Sequence, residues 1–251
     1  MTDERQFPEG SRVDDLELSG VHLHGANFEG ARLTDVSLYH ADISGDIEGL
    51  RVNGVEIEPY VQAELDRRWP DRVKLRATGI DGLRDAWSML EHLWTGTTDR
   101  AGRLAPELQA RRVDGEWSFV ETLRHLIFAT DCWLFRGIQL VEHPYHPWGL
   151  PWSGVDSDSA QEIGLDISAT PDLDQLLPVR IQHQQAVKTA LDTLTDSELA
   201  DVRTAPDDPG HPNGDHSVLQ CFHVLLNEEW QHHRYAVRDL DQLDLLADQH
   251  D

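Results

Sequence analysis

Between Leu18 and Ile43 an apolar residue returns at every fifth position: Leu18, Leu23, Phe28, Leu33, Leu38 and Ile43. Two residues ahead of each stands a small or aliphatic partner, namely Leu16, Val21, Ala26, Ala31, Val36 and Ala41. A helix repeats its faces every 3.6 residues and a strand every two, so a strict period of five suits neither. A five-residue unit is too small to bury its own apolar side chains, which restricts the segment to architectures in which successive units stack. After Ile43 the frame slips by one residue and resumes at Ile47, Val52 and Ile57, giving nine quasi-repeats.

This pattern resembles the pentapeptide-repeat family. The resemblance implies a square β-solenoid in which both repeat positions point inward and four repeats complete a coil. Nine units then make only about two coils, and so short a stack leaves its ends uncapped unless one packs on a neighbour. Residues 1–58 are therefore expected to form a short pentapeptide-repeat β-solenoid that leans on the helical part of the chain.

From Pro59 the pattern becomes helical. Residues 59–76 read as a linker helix broken at Trp69-Pro70, because the residue before a proline avoids the helical region. Residues 77–251 then carry four helical segments. The first spans about 82–95, with Leu83, Trp87, Leu90 and Trp94 on one face. The second opens on a capping box, Ser118-x-x-Glu121, and buries Val120, Leu123, Ile127, Leu134 and Ile138. The third follows an N-cap and first-turn proline at Thr170-Pro171, with Pro178 as the place where it would kink. The fourth follows Asp215 and runs through Val218, Phe222, Leu225, Ala236 and Leu240. The 142–169 connection is long and rich in Pro, Gly, Ser and Asp, which suits a functional loop. It also lets the second and third helices run parallel. The expected fold is thus mainly α, an up-down-down-up four-helix bundle preceded by the solenoid.

Composition narrows the function. The 251 residues carry 21 Lys+Arg against 46 Asp+Glu, a formal charge of -25, which repels phosphate backbones and anionic lipid. No apolar run is long enough to span a bilayer. The start, MTDERQFPEG, has no basic or apolar leader pattern. No nucleic-acid or membrane partner is expected, and a cytoplasmic location is. Two cysteines, Cys132 and Cys221, rule out a disulfide framework and a multi-cysteine zinc site, whereas fourteen histidines direct attention to metal ligation.

His125 stands among apolar residues in ETLRHLIFA. On the last helix NEEWQHHRY places Glu228 four residues before His232 and Glu229 four before His233. Residues four apart share a helix face, so either pair can offer an oxygen and a nitrogen to one ion. The spacing alone equally suits a solvated turn with a carboxylate–imidazolium pair. A di-iron centre would need a second Glu-x-x-His element beside Glu229-x-x-His232, and the sequence has none.

The string WSFVETLRHLIFATD resembles the second-helix signature of the DinB-like superfamily, Trp-Ser-x-x-Glu-x-Leu-x-His-Leu, and NEEWQHHRYAVRDL resembles its last-helix signature. Over residues 82–246 the resemblance implies a four-helix bundle holding one divalent ion, zinc first and nickel as the alternative. The ligands in the mycothiol-dependent maleylpyruvate isomerase branch are His, Glu and His, which carry over to His125, Glu228 and His232. The hydrophobic stripe of the last helix points slightly better at Glu229 and His233, so that frame stays open.

Two imidazoles and one carboxylate leave a divalent ion an open position, the arrangement of a catalytic site. The resemblance implies a metal-dependent transferase or isomerase using a low-molecular-weight thiol such as mycothiol. Its partners would be a small-molecule thiol or electrophile, bound by a monomer or homodimer, with Arg124, Arg234 and Arg238 as candidate cofactor contacts. A non-catalytic metal-binding or stress-associated protein is the alternative. A third reading, an acidic interaction module imitating DNA, needs more length than about two coils supply. Cys132 lies seven residues after His125 and Cys221 seven before Glu228, so on antiparallel helices the two thiols are expected as neighbours across the seam, free and unable to reach the ion.

Overall fold

The computed structural model describes residues 7, 10–23, 25–152, 155–206 and 210–247; most of the MTDERQFPEG start, read above for a leader pattern, lies outside them. The chain divides into two compact units, the first ending at Ile43, where the five-residue frame slips, and the second beginning at Ser44.

In the first unit the period of five is also a backbone period. Asp15, Gly20, Gly25, Gly30, Asp35 and His40 all take left-handed φ values between 56° and 71°. Glycine reaches that region freely, and Asp and His are among the side chains that tolerate it best. Local bonds close alternate turns, from Val21 N to Leu18 O, Ala31 N to Phe28 O and Ala41 N to Leu38 O. Among the described residues of this unit none is in a strand, and the repeat side chains remain open, from 44% for Leu18 to 63% for Ile43. The apolar interior expected of stacked coils is not closed, because so few repeats give each inward position few neighbours.

The second unit is mainly helical. It opens on a hairpin, β1 (Arg51–Val52) and β2 (Val55–Glu56), turned by Asn53-Gly54 at φ 51° and 81°. Helix α1 (Glu58–Arg68) stops at Trp69, which Pro70 holds outside the helical region, and a 3-10 turn follows over Pro70–Arg76. Next come α2 (Ile80–Ala101), α3 (Pro106–Gln109) and α4 (Phe119–Thr130), the last continuing as a π-helical stretch, Asp131–Ile138. The chain then runs through α5 (Ser157–Glu162), α6 (Leu173–Thr193), a 3-10 turn over Asp196–Ala200, the antiparallel strands β3 (Val202–Ala205) and β4 (Gly214–Ser217), and α7 (Val218–Ala247).

Local chemistry sets these limits. α2 outlasts its expected span because Thr97 and Ala101 are buried too, and its first amide, Ile80 N, donates to Asp196 Oδ1 at 2.7 Å. α4 starts where the capping box places it: Ser118 Oγ accepts from Glu121 N and Glu121 Oε2 accepts from Ser118 N. α6 begins two residues later than Thr170-Pro171 suggests. A reciprocal box between Asp172 and Gln175 satisfies two amide donors there, and the helix continues through Pro178.

α2 packs on α6 and α7, and α4 packs on the same two helices. Every residue of α4 except Glu121 is buried, so its polar side chains must be partnered inside the protein. Cys132 and Cys221 are free and buried, and a Cβ at Gly137 would lie 3.2 Å from Cys221 Sγ and 3.4 Å from Cys132 O. Gly137 thus brings the π-helical stretch against α7 at Cys221, while Cys132 packs in a separate apolar cluster with Phe128, Tyr145 and Leu165.

Candidate metal centre

His125 projects from the middle of α4, and Glu228 and His232 project one turn apart from α7. Glu228 Oε2 lies 3.2 Å from His125 Nε2 and 3.2 Å from His232 Nε2. One ligand atom from each of the three residues falls within 4.8 Å of the others. The resemblance named these three positions, and the structure brings them together.

The environment fixes the donors. His125 Nδ1 is 2.9 Å from Leu150 O. A carbonyl can only accept, so Nδ1 carries the hydrogen, and in a neutral ring Nε2 then presents its lone pair. That lone pair faces a carboxylate oxygen, an arrangement that is repulsive unless a proton or a cation lies between them. Burial works to raise the Glu228 carboxyl, but with a proton between the groups the hydrogen bonds and charge from His125 and His232 outweigh it and hold the carboxyl well below the usual carboxylate range. Burial pushes the His232 imidazole down, against the pull of Glu228. An ionised carboxylate and a neutral imidazole are the forms that bind a metal. Trp117, just ahead of the α4 cap, covers both rings, with centroids 4.6 Å from His125 and 5.8 Å from His232. The Glu228 side chain keeps 31% exposure, so the cluster has an open side.

The other frame on α7 does different work. Glu229 is fully buried and accepts from Arg180 Nη2 at 2.6 Å. Arg180 Nε and Nη1 have no hydrogen-bond partner among the described residues, so Glu229 supplies the countercharge. Burial pushes the Glu229 carboxyl up, and the charge and hydrogen bond of Arg180 draw it back. His233 Nε2 pairs with Thr97 Oγ1 at 2.8 Å. Neither Glu229 nor His233 joins the cluster.

The three candidate cofactor arginines are engaged elsewhere. Arg124 donates to the carbonyls of Trp148, Asp166 and Ala169, Arg234 lies over the Trp69 ring at 4.0 Å, and Arg238 pairs with Glu116 and Asp239. Sequence reasoning missed the covering role of Trp117 and the carbonyl of Leu150. It also missed a buried pair one layer away, Asp131 Oδ1 with His183 Nε2 at 2.8 Å. Only the WSF string hinted at Trp117; nothing local marks the other two.

Two family models match the chain: residues 82–236 match the DinB superfamily, and residues 17–45 the pentapeptide repeats. Searches of curated proteins and of solved structures found no match. No helix among the described residues is long and apolar enough to cross a membrane. The superfamily match covers more than half of the chain and contains all three clustered residues, and on that ground the chain belongs to the DinB superfamily, with pentapeptide repeats ahead of the DinB domain.

Proposed function

We propose that His125, Glu228 and His232 hold one divalent cation, zinc in the first place and nickel as the alternative, and that the protein is a metal-dependent transferase or isomerase acting with a low-molecular-weight thiol such as mycothiol. The observation that carries this reading is the committed Nδ1 of His125, which turns its Nε2 lone pair onto an ionised carboxylate shared with a second imidazole. Two nitrogens and one carboxylate form the donor set of an open zinc site. When bound, the ion would favour the ionised form of a thiol or water at its remaining position.

The chain's own groups support the rest. Leu150 orients His125, Trp117 limits water on one side, and the exposed side of Glu228 leaves a route for a small molecule. Both cysteine thiols are buried and their pKa values are pushed up by burial, to about 11 for Cys221, so neither serves as nucleophile and the thiol is external.

The proposed architecture is an up-down-down-up bundle of α2, α4, α6 and α7. Paired contacts support it. Arg124 reaches Ala169 just before α6 while Asp131 meets His183 within it, which suits parallel α4 and α6. His125 meets Glu228 while Gly137 meets Cys221, which suits antiparallel α4 and α7. Thr97 meets His233 while Arg100 meets Asp241 and Asp244, which suits parallel α2 and α7. For the repeats we propose the family's β-solenoid, on the strength of the match and the left-handed residue at every fifth position.

Elemental analysis of protein purified without added metal tests the first step, with about one zinc or nickel per chain expected. Assaying thiol addition to a panel of electrophiles, with and without the ion, tests the second. Metal without turnover would leave the non-catalytic alternative.

A further inference from the structure

Phe128 sits one turn after His125, with ring centroids 6.2 Å apart, and it also walls a pocket of about 180 Å³. Trp152 forms a second wall, 6.0 Å from Phe128, and Val155 adds apolar surface. His211 lines the same pocket, 5.2 Å from Trp152 and nearly perpendicular to it. Its backbone is fixed on both sides by Tyr145, whose hydroxyl accepts from His211 N at 2.7 Å and donates to His211 O at 3.0 Å. Trp133 meets the imidazole edge-on at 5.4 Å. Neither ring nitrogen of His211 has a hydrogen-bond partner among the described residues. The other polar lining is already satisfied: Asp156 accepts from Asp158 N, Ser159 N and the Ser159 hydroxyl.

A partly open aromatic pocket with one uncommitted polar group selects its ligand by size, shape and charge. An apolar cavity of about 150 Å³ accommodates benzene, so this pocket suits one ring with a small substituent. The lining contains Asp156 and no Lys or Arg, which disfavours an anion.

We infer that this pocket is the electrophile subsite of the metal centre, taking a neutral, planar, single-ring or conjugated molecule whose carbonyl or hydroxyl hydrogen-bonds to His211. The inference rests on the metal reading above for its connection to catalysis, while the pocket's selectivity stands without it.

Phenol, benzene and benzoate are suitable probes, titrated calorimetrically into the purified full-length protein. Phenol is expected to bind with a Kd on the order of 1 mM, and benzoate at least about tenfold more weakly. His211→Phe keeps a ring in place and should weaken phenol by about tenfold, the effect of one hydrogen bond, while leaving benzene within about twofold. Trp152→Ala should weaken both. Circular dichroism and metal content of each variant report on folding. Benzoate binding more tightly than phenol, no binding of phenol to the wild type, or equal phenol affinity in all variants would overturn the inference. In cobalt-loaded protein the proton resonances of bound phenol should broaden; phenol bound without broadening removes the pocket from the metal centre. Protein that takes up no cobalt or zinc yet still prefers phenol to benzoate refutes the metal reading and the pocket's catalytic connection, and leaves its selectivity intact.

Discussion

Glu228 and Glu229 are adjacent in sequence and should fail in opposite ways when each is changed to glutamine. Glu228→Gln removes the anionic oxygen shared by His125 and His232, and a neutral amide is a poor replacement for a carboxylate ligand. Metal should be lost. Its side chain is partly exposed and belongs to no packed cluster, so the metal-free fold should change by less than about 1 kcal/mol. Glu229→Gln instead leaves Arg180, 3% exposed, without a countercharge. Removing one partner of such a buried pair destabilises by about 3–5 kcal/mol. In a domain of this size about 1 kcal/mol moves Tm by roughly 2–4 °C, so a fall of about 10 °C is expected. Metal should stay at about one per chain.

Elemental analysis reads the first effect, and chelator-treated samples followed by circular dichroism on heating read the second. Chelation matters because a ligand bound only to the folded state adds its own stabilisation. The double variant Arg180→Met with Glu229→Leu should recover most of the lost stability, since apolar residues of similar volume often replace a buried ion pair without loss. If Glu229→Gln lost the metal while Glu228→Gln kept it, the ligand frame would be the other one. Equal stability of both variants would mean that Arg180 has found another partner.

His125→Ala and His232→Ala should each abolish stoichiometric metal binding, while His233→Ala keeps the metal and loses about 1 kcal/mol with the Thr97 hydrogen bond, as elemental analysis and urea unfolding would show. Both thiols should resist Ellman's reagent at pH 8 in the native protein and react as two per chain in denaturant; a native thiol titrating at pH 8 would contradict the burial of the pair. Burial places the Cys221 thiol at about 11 in the fold, so between the unfolded value of about 8.5 and 11 the native state holds the extra proton. Stability from this group is therefore intact below about pH 8.5 and falls as pH rises through that window, by about 3 kcal/mol at most, and Cys221→Ala should flatten that part of the pH–stability curve. Arg124→Met should release the 142–169 loop to protease and weaken metal binding by about 10–100-fold, the range for residues that orient a ligand.

The helices were legible because their signals are local. The Ser118–Glu121 box fixes the start of α4 within four residues, and the Trp69-Pro70 break needs only a dipeptide. Glu228 and His232 were legible for the same reason, since one helical turn puts them on one face. The choice between the two frames was not. It depends on Arg180 and Thr97, which lie 49 residues before Glu229 and 136 before His233. His211 sits in PDDPGHPNG, a stretch that by composition reads as a turn, and its anchor Tyr145 is 66 residues away. The five-residue period located the repeats, but a sequence period does not say how well a short stack closes, and the repeat side chains remain open.

The adjacency of Arg124 and His125 gives the long loop its connection to the chemistry. Arg124 O accepts from Leu150 N at 3.2 Å, while Leu150 O accepts from His125 Nδ1 at 2.9 Å, so two neighbouring residues of α4 grip both backbone groups of one loop residue. The Arg124 guanidinium holds Trp148, Asp166 and Ala169 from the same side. The loop thus sets the tautomer of His125: with Leu150 in place Nδ1 keeps its hydrogen and Nε2 is free to ligate. The same loop supplies Trp152 to the pocket two residues later.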